Sequence, residues 1–208
     1  ASGMKQPPSP MTLIVSNVGD SRAVLGTTVP RRAQFGANGS LGGGGSVQLN
    51  AALTGAVGNL STERAMDLSV DHKPDHPSER RRIEAAGGVV AKNAGAGAAA
   101  PFRVWDRQRR VGLATSRSFG DTYATGVTHE PDIRSEALVE GDHFVILGSD
   151  GLWDRISSPE AVRLASTAIQ RGSQHAADVI AAEALRRWRA LGTMSDDITV
   201  MVVRLPKP

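Results

Sequence analysis

The segment from 143 to 149, HFVILGS, is nearly continuous in apolar residues and ends directly on Asp150 and Gly151. A short run of this kind predicts a strand that is buried on both faces. Because a sheet fixes the ends of its strands, an aspartate at this point would be held rigidly, as metal-ligating carboxylates are. The sequence therefore predicts a buried strand that delivers Asp150 at its end.

A second acid stands between two apolar runs near the start of the chain. Residues 12–18, TLIVSNV, stop at the Gly19-Asp20-Ser21 segment, and the apolar pattern resumes over Arg22–Leu25. This pattern is typical of two strands joined by a tight turn. It predicts a hairpin with Asp20 at the junction.

Helix and strand signals alternate through the rest of the chain. Capping serines, glycine stops and apolar spacing predict helices over 79–86, 158–170 and 174–191. Short apolar runs predict strands from Val89 and over 102–105, 112–115 and 198–203. Residues 1–10 are predicted to be a disordered or linker tail, and 27–61, which contains four consecutive glycines, a flexible insertion. Residues 11–206 are expected to form one domain.

Composition limits the class of protein. The chain has 208 residues, of which 40% are hydrophobic and 22% are charged, so it can bury a core and is not disordered throughout. No apolar run approaches the roughly 18 residues that cross a bilayer, and no membrane partner is expected. There is no cysteine, which excludes a disulfide framework, a thiolate metal site and a cysteine nucleophile. Together with the lack of a secretory-signal pattern, this favours an intracellular location, cytoplasmic or nuclear.

The positive charge of the chain first suggests a nucleic-acid partner. The formal net charge is +3, and arginines cluster at 80–82, 107–110 and 186–189. These clusters lie in separate segments without interleaved aromatic residues, and two of them fall in helical patterns, where a solvated face is the simpler interpretation. We therefore expect no nucleic-acid partner.

Aspartates are the residues best placed to carry chemistry. They stand where strands are predicted to end or begin: Asp20, Asp121, Asp150, Asp154 and the Asp196-Asp197 pair. Each one alone is better explained as a turn residue or a helix cap. Several acids that converge would repel one another unless cations neutralised them, and an all-oxygen ligand set favours Mg²⁺ or Mn²⁺. Ser21, Ser116 and Ser149 lack a nucleophile-elbow pattern and are interpreted as structural.

Six segments together resemble one known family. They are SNVGDSRAVL at 16–25, LSVDHKP at 68–74, ERRRIEAAGG at 79–88, LATSRSFGD at 113–121 with EPD at 130–132, FVILGSDGLWD at 144–154, and SDDITV at 195–200. In wording and order they are similar to the metal-dependent protein serine/threonine phosphatases of the 2C type, the PPM family. The resemblance covers nearly the whole chain.

The resemblance implies a fold and a set of metal ligands. The family fold is α+β, an αββα sandwich of two antiparallel sheets flanked by helices, and the chain matches its later, C-terminal portion. Asp150 corresponds to an aspartate of the two-metal site and Asp196 to a ligand of one of those Mg²⁺ or Mn²⁺ ions. Asp20 and Asp154 correspond to residues that hold a third, weaker metal with Asp150 in several members of the family. Asp197 stands where the family usually has asparagine.

The same resemblance implies an activity, and it also shows which family residues this sequence lacks. Family members hydrolyse phosphoserine and phosphothreonine in proteins with a water activated by two metals, so phosphorylated proteins are the expected substrates. No Asp-Gly-His-Gly-Gly segment occurs in this sequence, and none of the family's general-acid or phosphate-binding residues is present. We therefore expect a phosphatase in a full-length parent, with activity of this chain alone in question. The alternative is a non-catalytic member, or fragment, that binds a phosphoprotein or a kinase.

Overall fold

The computed structural model describes residues 11–30, 63–95, 97, 100–106, 108–192 and 196–207. Within these residues the chain forms nine strands and four helices. The strands are β1 (Thr12–Asn17), β2 (Arg22–Thr27), β3 (Arg64–Asp67), β4 (Val89–Ala91), β5 (Arg103–Trp105), β6 (Gly112–Leu113), β7 (Asp132–Ala137), β8 (Asp142–Gly148) and β9 (Val200–Arg204). The helices are α1 (Pro77–Ala85), α2 (Asp150–Trp153), α3 (Ser158–Gln170) and α4 (Ala176–Ala190).

A four-stranded antiparallel sheet in the order β3-β2-β8-β9 forms the centre of the fold. Its central strands are β2 and β8, and Leu25 and Ile146 in them are fully buried. Because side chains alternate between faces, Ile146 and Leu25 serve different cores on the two sides of the sheet. The prediction of a buried strand before Asp150 is confirmed.

Helices α3 and α4 pack on one face of this sheet. The core between them contains Phe144 and Ile146 of β8 with Val162 of α3 and Ile180 of α4, none more than 1% exposed. The alanines on the facing sides of the two helices allow close approach, as the apolar spacing over 158–170 and 174–191 predicted. The helices start at Ser158 and Ala176, and no side-chain capping bond forms at either N-terminus.

Strands β1 and β7 form a separate two-stranded sheet on the other face. Leu13 and Val15 of β1 pack against the second core, which includes Leu25 and Val145. The predicted β1–β2 hairpin is therefore wrong, because the two strands enter different sheets and each pairs with a segment far along the sequence. Among the described residues, β1 and β7 cover only part of this face of the four-stranded sheet, and Leu147, Met201 and Val203 on it are 40%, 55% and 42% exposed.

A third sheet, β4-β5-β6, packs with α1 around a small core of Ile83, Val90, Val104 and Ala124. Helix α1 begins after His76 rather than at the serine that the sequence suggested as a cap, and the Ser78 hydroxyl instead lies 2.9 Å from His76 Nδ1. The mixture of helices with purely antiparallel sheets confirms the α+β class.

The predicted tail at 1–10 lies outside the described residues, as does 31–62 within the predicted insertion. Thr27, the first residue of that insertion, is the last residue of β2 and is 1% exposed. Of the helices in the described ranges, none has both the length and the apolar character needed to cross a membrane.

Candidate metal centre

Asp150 lies where β8 gives way to helix α2. Ser149 precedes the helix in extended conformation, and Asp150 is its first residue. The Asp150 carboxylate is half-buried, and its Oδ1 accepts a 2.9 Å hydrogen bond from the N–H of Gly151. The position at the end of a buried strand is the one that the sequence predicted.

Ser149 ties this turn to the segment that carries Asp196. Its backbone N–H donates to the carbonyl of Thr199 at 3.1 Å, and its hydroxyl accepts from the N–H of Thr199 at 3.0 Å. The same hydroxyl donates to the carbonyl of Asp197 at 3.0 Å. Ser149 is therefore structural, as expected, and it holds the 196–199 segment beside Asp150.

Gly151 allows the 196–197 segment to pack directly against the turn that carries Asp150. A Cβ atom at this position would lie 2.4 Å from the carbonyl oxygen of Asp197 and 3.4 Å from Cβ of Asp196. Any larger residue would push the 196–197 segment outward. The absence of a side chain at 151 thus lets the Asp196 backbone approach Asp150 closely.

Asp20 enters from the turn between β1 and β2. Gly19 adopts a φ of +105°, which side-chain-bearing residues rarely adopt, and so turns the chain before Asp20. Two hydrogen bonds hold this turn, from the Gly19 N–H to His72 Nδ1 at 3.1 Å and from the His72 N–H to the Gly19 carbonyl at 3.0 Å. Next to His72, the ammonium of Lys73 forms a close ion pair with Asp20 Oδ2.

Asp154 follows the last residue of α2, one turn after Asp150, and its side chain is exposed. Its backbone N–H donates to the Asp150 carbonyl at 2.8 Å. Residues four apart on a helix lie on the same side of it. The short helix therefore sets Asp150 and Asp154 on one side.

The charges of these acids act together on Asp150. Burial raises the pKa of the Asp150 carboxyl, and the nearby carboxylates of Asp20, Asp196 and Asp154 raise it further, while Lys73 lowers it. A carboxylate surrounded by three others is destabilised in its charged form unless a cation is present. The structure thus brings Asp20, Asp154 and Asp196 within electrostatic reach of Asp150.

The donor set fits a hard divalent cation in its chemistry, since every candidate ligand is a carboxylate oxygen. In the part of the chain that the structure describes, however, no three acidic or histidine side chains are positioned to hold one ion together. The acids near Asp150 are therefore close to it, but in the described residues they are not arranged as the coordination shell of one ion.

Asp121 has a local role. Its Oδ2 accepts a 2.6 Å hydrogen bond from the Ser118 hydroxyl, and its charge contributes, after burial, to raising the pKa of Tyr123. Asp197 is exposed, and its N–H donates to Asp196 Oδ1 at 2.8 Å. Ser195, the first residue of the SDDITV segment, lies outside the described residues.

A buried charge network lies behind the Gly19 turn. Glu79 of α1 is 3% exposed and receives hydrogen bonds from Arg117 at 2.7 and 3.0 Å, from Arg82 at 2.8 Å and from Ser116 at 2.7 Å. Burial alone would raise the pKa of Glu79, but these donors outweigh it and lower the pKa to about 2. The backbone N–H of Ser116 also donates at 2.7 Å to the carbonyl of His72, whose own N–H bonds to the Gly19 carbonyl. The network is thereby linked to the turn that presents Asp20.

Sequence reasoning missed two residues of this region. Lys73 stands in the Asp-His-Lys-Pro segment but was given no role, although its proximity to the Gly19-His72 pairing makes it the partner of Asp20. Trp188 of α4, whose indole N–H donates to the Gly151 carbonyl at 2.8 Å, carries no local signal at all, because the contact depends on the packing of α4.

Comparisons with known proteins agree with this architecture. A family model described as Protein phosphatase 2C matches residues 57–194, about two thirds of the chain. The "Probable protein phosphatase 2C 48" of Oryza sativa subsp. japonica is 35% identical over 204 residues, which cover 94% of this chain and 49% of the rice protein. The "Probable protein phosphatase 2C 18" of Arabidopsis thaliana is 35% identical over 93% of this chain and 33% of its own length.

A solved structure shows the same relationship. The serine-threonine phosphatase 2C from Toxoplasma gondii superposes with a TM-score of 0.70 at 27% identity, covering 93% of this chain and 54% of that one. This chain spans about half the length, or less, of the relatives that it matches. On the strength of the family model, the chain belongs to the protein phosphatase 2C family.

Proposed function

We propose that the polypeptide containing this chain hydrolyses phosphoserine and phosphothreonine in proteins with the help of Mg²⁺ or Mn²⁺. The observation that supports this most is the set of carboxylates around Asp150, whose pKa is raised by burial and raised further by the charges of Asp20, Asp196 and Asp154. Two such ions, when bound, would activate a water molecule and neutralise the oxygens of the transferred phosphate.

Asp150 and Asp196 are the proposed ligands of the paired ions, and Asp20 and Asp154 are proposed to hold a third ion with Asp150. The role of the surrounding residues is to position these oxygens. Ser149 and Gly151 set the distance between Asp150 and Asp196, and the His72–Gly19 hydrogen bonds fix the turn before Asp20. Metal ligands that are positioned by a rigid scaffold in this way lose less conformational entropy when an ion binds.

The proposal is tested by Asp150→Asn in the full-length polypeptide. Removing one charge at nearly constant shape should lower Mn²⁺-dependent phosphate release from a phosphothreonine peptide by about 100-fold or more. Asp178→Asn is the matched control, because Asp178 lies on α4 with 80% of its side chain exposed, and this change should leave the rate unaltered.

Activity of Asp150→Asn within a factor of about two of the unchanged protein would contradict the proposal. If neither the unchanged polypeptide nor Asp150→Asn had measurable activity, and both still bound the phosphopeptide, the result would instead favour the non-catalytic binding module.

A further inference from the structure

Lys73 places a positive charge among the proposed metal ligands. Its ammonium contacts Asp20 Oδ2, and the side chains of Lys73 and Asp20 are 34% and 19% exposed, so the pair is partly shielded from water. An ammonium in this setting compensates a carboxylate as a bound cation would.

The influence of Lys73 extends beyond Asp20. Burial alone would lower the pKa of Lys73, but the hydrogen bond and charge of Asp20, followed by the charges of Asp154 and Asp150, raise it. Lys73 in return lowers the pKa of Asp150. One ammonium is thus within electrostatic reach of the three acids that are proposed to share a third ion.

The backbone keeps Lys73 in this place while its side chain stays adaptable. The reciprocal hydrogen bonds between Gly19 and His72 join the Asp20 turn to the segment that carries Lys73. Neighbouring Asp71 is held differently, by two hydrogen bonds from the planar guanidinium of Arg22 at 2.7 and 2.8 Å. A lysine, with four rotatable bonds and a point charge, can leave its partner at lower cost than such a two-bonded arginine.

We propose that Lys73 is an internal counter-ion that occupies the place of a divalent cation at Asp20 and must withdraw before a metal ion binds there. The inference rests on the proposed function, since it concerns the same acids. Lys73 would set the affinity of the weaker, third site.

The test is a double-mutant cycle on the 208-residue chain, with Mn²⁺ binding measured by electron paramagnetic resonance of the free ion. Lys73→Gln should tighten binding of the weakest-bound ion about fivefold, which corresponds to the loss of one partly shielded ion pair. Lys73→Arg keeps the charge and should not tighten it. In an Asp20→Asn background, the effect of Lys73→Gln should fall below about twofold, because the competition requires the Asp20 carboxylate.

Each other result overturns the inference. Equal tightening in both backgrounds would mean that Lys73 acts only as a distant charge, and unchanged or weaker binding in Lys73→Gln would mean that it does not compete. If the unchanged chain binds no Mn²⁺, the proposed metal centre fails for this chain. In that case the Lys73→Gln variant must bind Mn²⁺. If it does not, the proposed competition between Lys73 and the metal ion is overturned as well.

A second measurement decides the question should Lys73→Gln fail to fold. In the unchanged chain, Mg²⁺ added to saturation should shift the side-chain nitrogen resonance of Lys73 towards that of a solvated lysine, whereas Lys92, which lies 5.0 Å from the Phe102 ring centre, should not shift. A Lys73 resonance that stays constant under saturating Mg²⁺ would overturn the inference.

Discussion

The indole N–H of Trp188 donates a 2.8 Å hydrogen bond to the carbonyl oxygen of Gly151, the residue after Asp150. The backbone N–H groups of Asp154 and Arg155 bond to the carbonyls of Asp150 and Leu152, on either side of Gly151. The Arg155 guanidinium lies 4.1 Å from the centre of the Trp188 ring system and restrains its plane. Helix α4 thus fixes the orientation of the peptide group that follows the proposed ligand.

Trp188→Phe should lower the affinity of the chain for Mn²⁺ about tenfold, because outer groups that orient metal ligands have effects of this size. The matched control is Trp105→Phe, since the Trp105 indole also donates to a carbonyl, that of Ala91 at 2.9 Å, in a different sheet. Each variant loses one hydrogen bond, worth about 1 kcal/mol of stability. Isothermal titration calorimetry should separate them, and equal Mn²⁺ affinities would assign Trp188 a purely structural role.

Local sequence patterns predicted most helices and strands, whereas the pairing of strands that are distant in sequence could not be predicted from them. The apolar run before Asp150 and the helical spacing over 158–170 were sufficient to place β8 and α3, since both signals lie within a few residues. The partner of β1 could not be inferred, because a β-branched run with a following turn fits a hairpin as well as it fits pairing with β7.

The acids were identified from their positions at strand ends, but their convergence depends on contacts that have no local signature. Ser149 bonds to Thr199 only after β9 pairs with β8, and Gly151 must lack a side chain for Asp197 to approach. The Lys73–Asp20 pair likewise needs the His72–Gly19 hydrogen bonds, which join segments more than fifty residues apart. Local patterns therefore singled out the acids and the family resemblance narrowed them to the four proposed ligands, but neither gave a role to Lys73.

Gly151→Ala should destabilise the protein and weaken Mn²⁺ binding together. The new Cβ would lie 2.4 Å from a backbone oxygen, that of Asp197, which cannot rotate away as a side chain would. Forcing a methyl group into such a space costs about 1–3 kcal/mol. Gly97→Ala is the control, because nothing lies within 4 Å of its added Cβ. Urea unfolding and a Mn²⁺ titration measure both effects, and unchanged binding would mean that the 196–197 segment is not needed.

Asp150→Asn should raise the stability of the metal-free chain. The raised pKa of Asp150 shows that its charged form is disfavoured in the fold, through burial and the charges of Asp20, Asp196 and Asp154. Asparagine keeps the oxygen that accepts from the Gly151 N–H and removes the charge. We expect a higher melting temperature than that of the unchanged chain in EDTA, and a smaller increase on addition of Mn²⁺. A lower melting temperature in EDTA would contradict the electrostatic account.

Glu79→Gln should remove a pH-dependent part of the stability. The folded-state pKa of Glu79 is about 2, below its ordinary value of 4.5, so its contribution is complete above about pH 4.5 and is lost as the pH falls towards 2. The variant should therefore lose about 3 kcal/mol at pH 7 and show a shallower decline between pH 5 and pH 3. Denaturant unfolding across these pH values checks this.

Glu84→Gln is the comparison for that experiment, because Glu84 lies on the same helix but pairs with Arg80 at the surface, where 52% of its side chain is exposed. Its loss should change the stability by no more than about 0.5 kcal/mol at any of these pH values. If Glu79→Gln behaved like Glu84→Gln, the buried network would contribute no more to the stability of the fold than a surface ion pair.

The 208-residue chain, purified alone, should bind Mn²⁺ without efficient turnover. A two-metal centre needs a carboxylate that holds both ions close together, and the resemblance assigns that role to an Asp-Gly-His-Gly-Gly segment, which this sequence lacks. Phosphate release from a phosphothreonine peptide should therefore be at least about 100-fold slower than that of a longer polypeptide that includes such a segment. The Asp150→Asn form of the same chain gives the background rate. Turnover by the isolated chain at the rate of the longer polypeptide, abolished by Asp150→Asn, would show that another acid, such as Asp197 or Asp121, takes the bridging role.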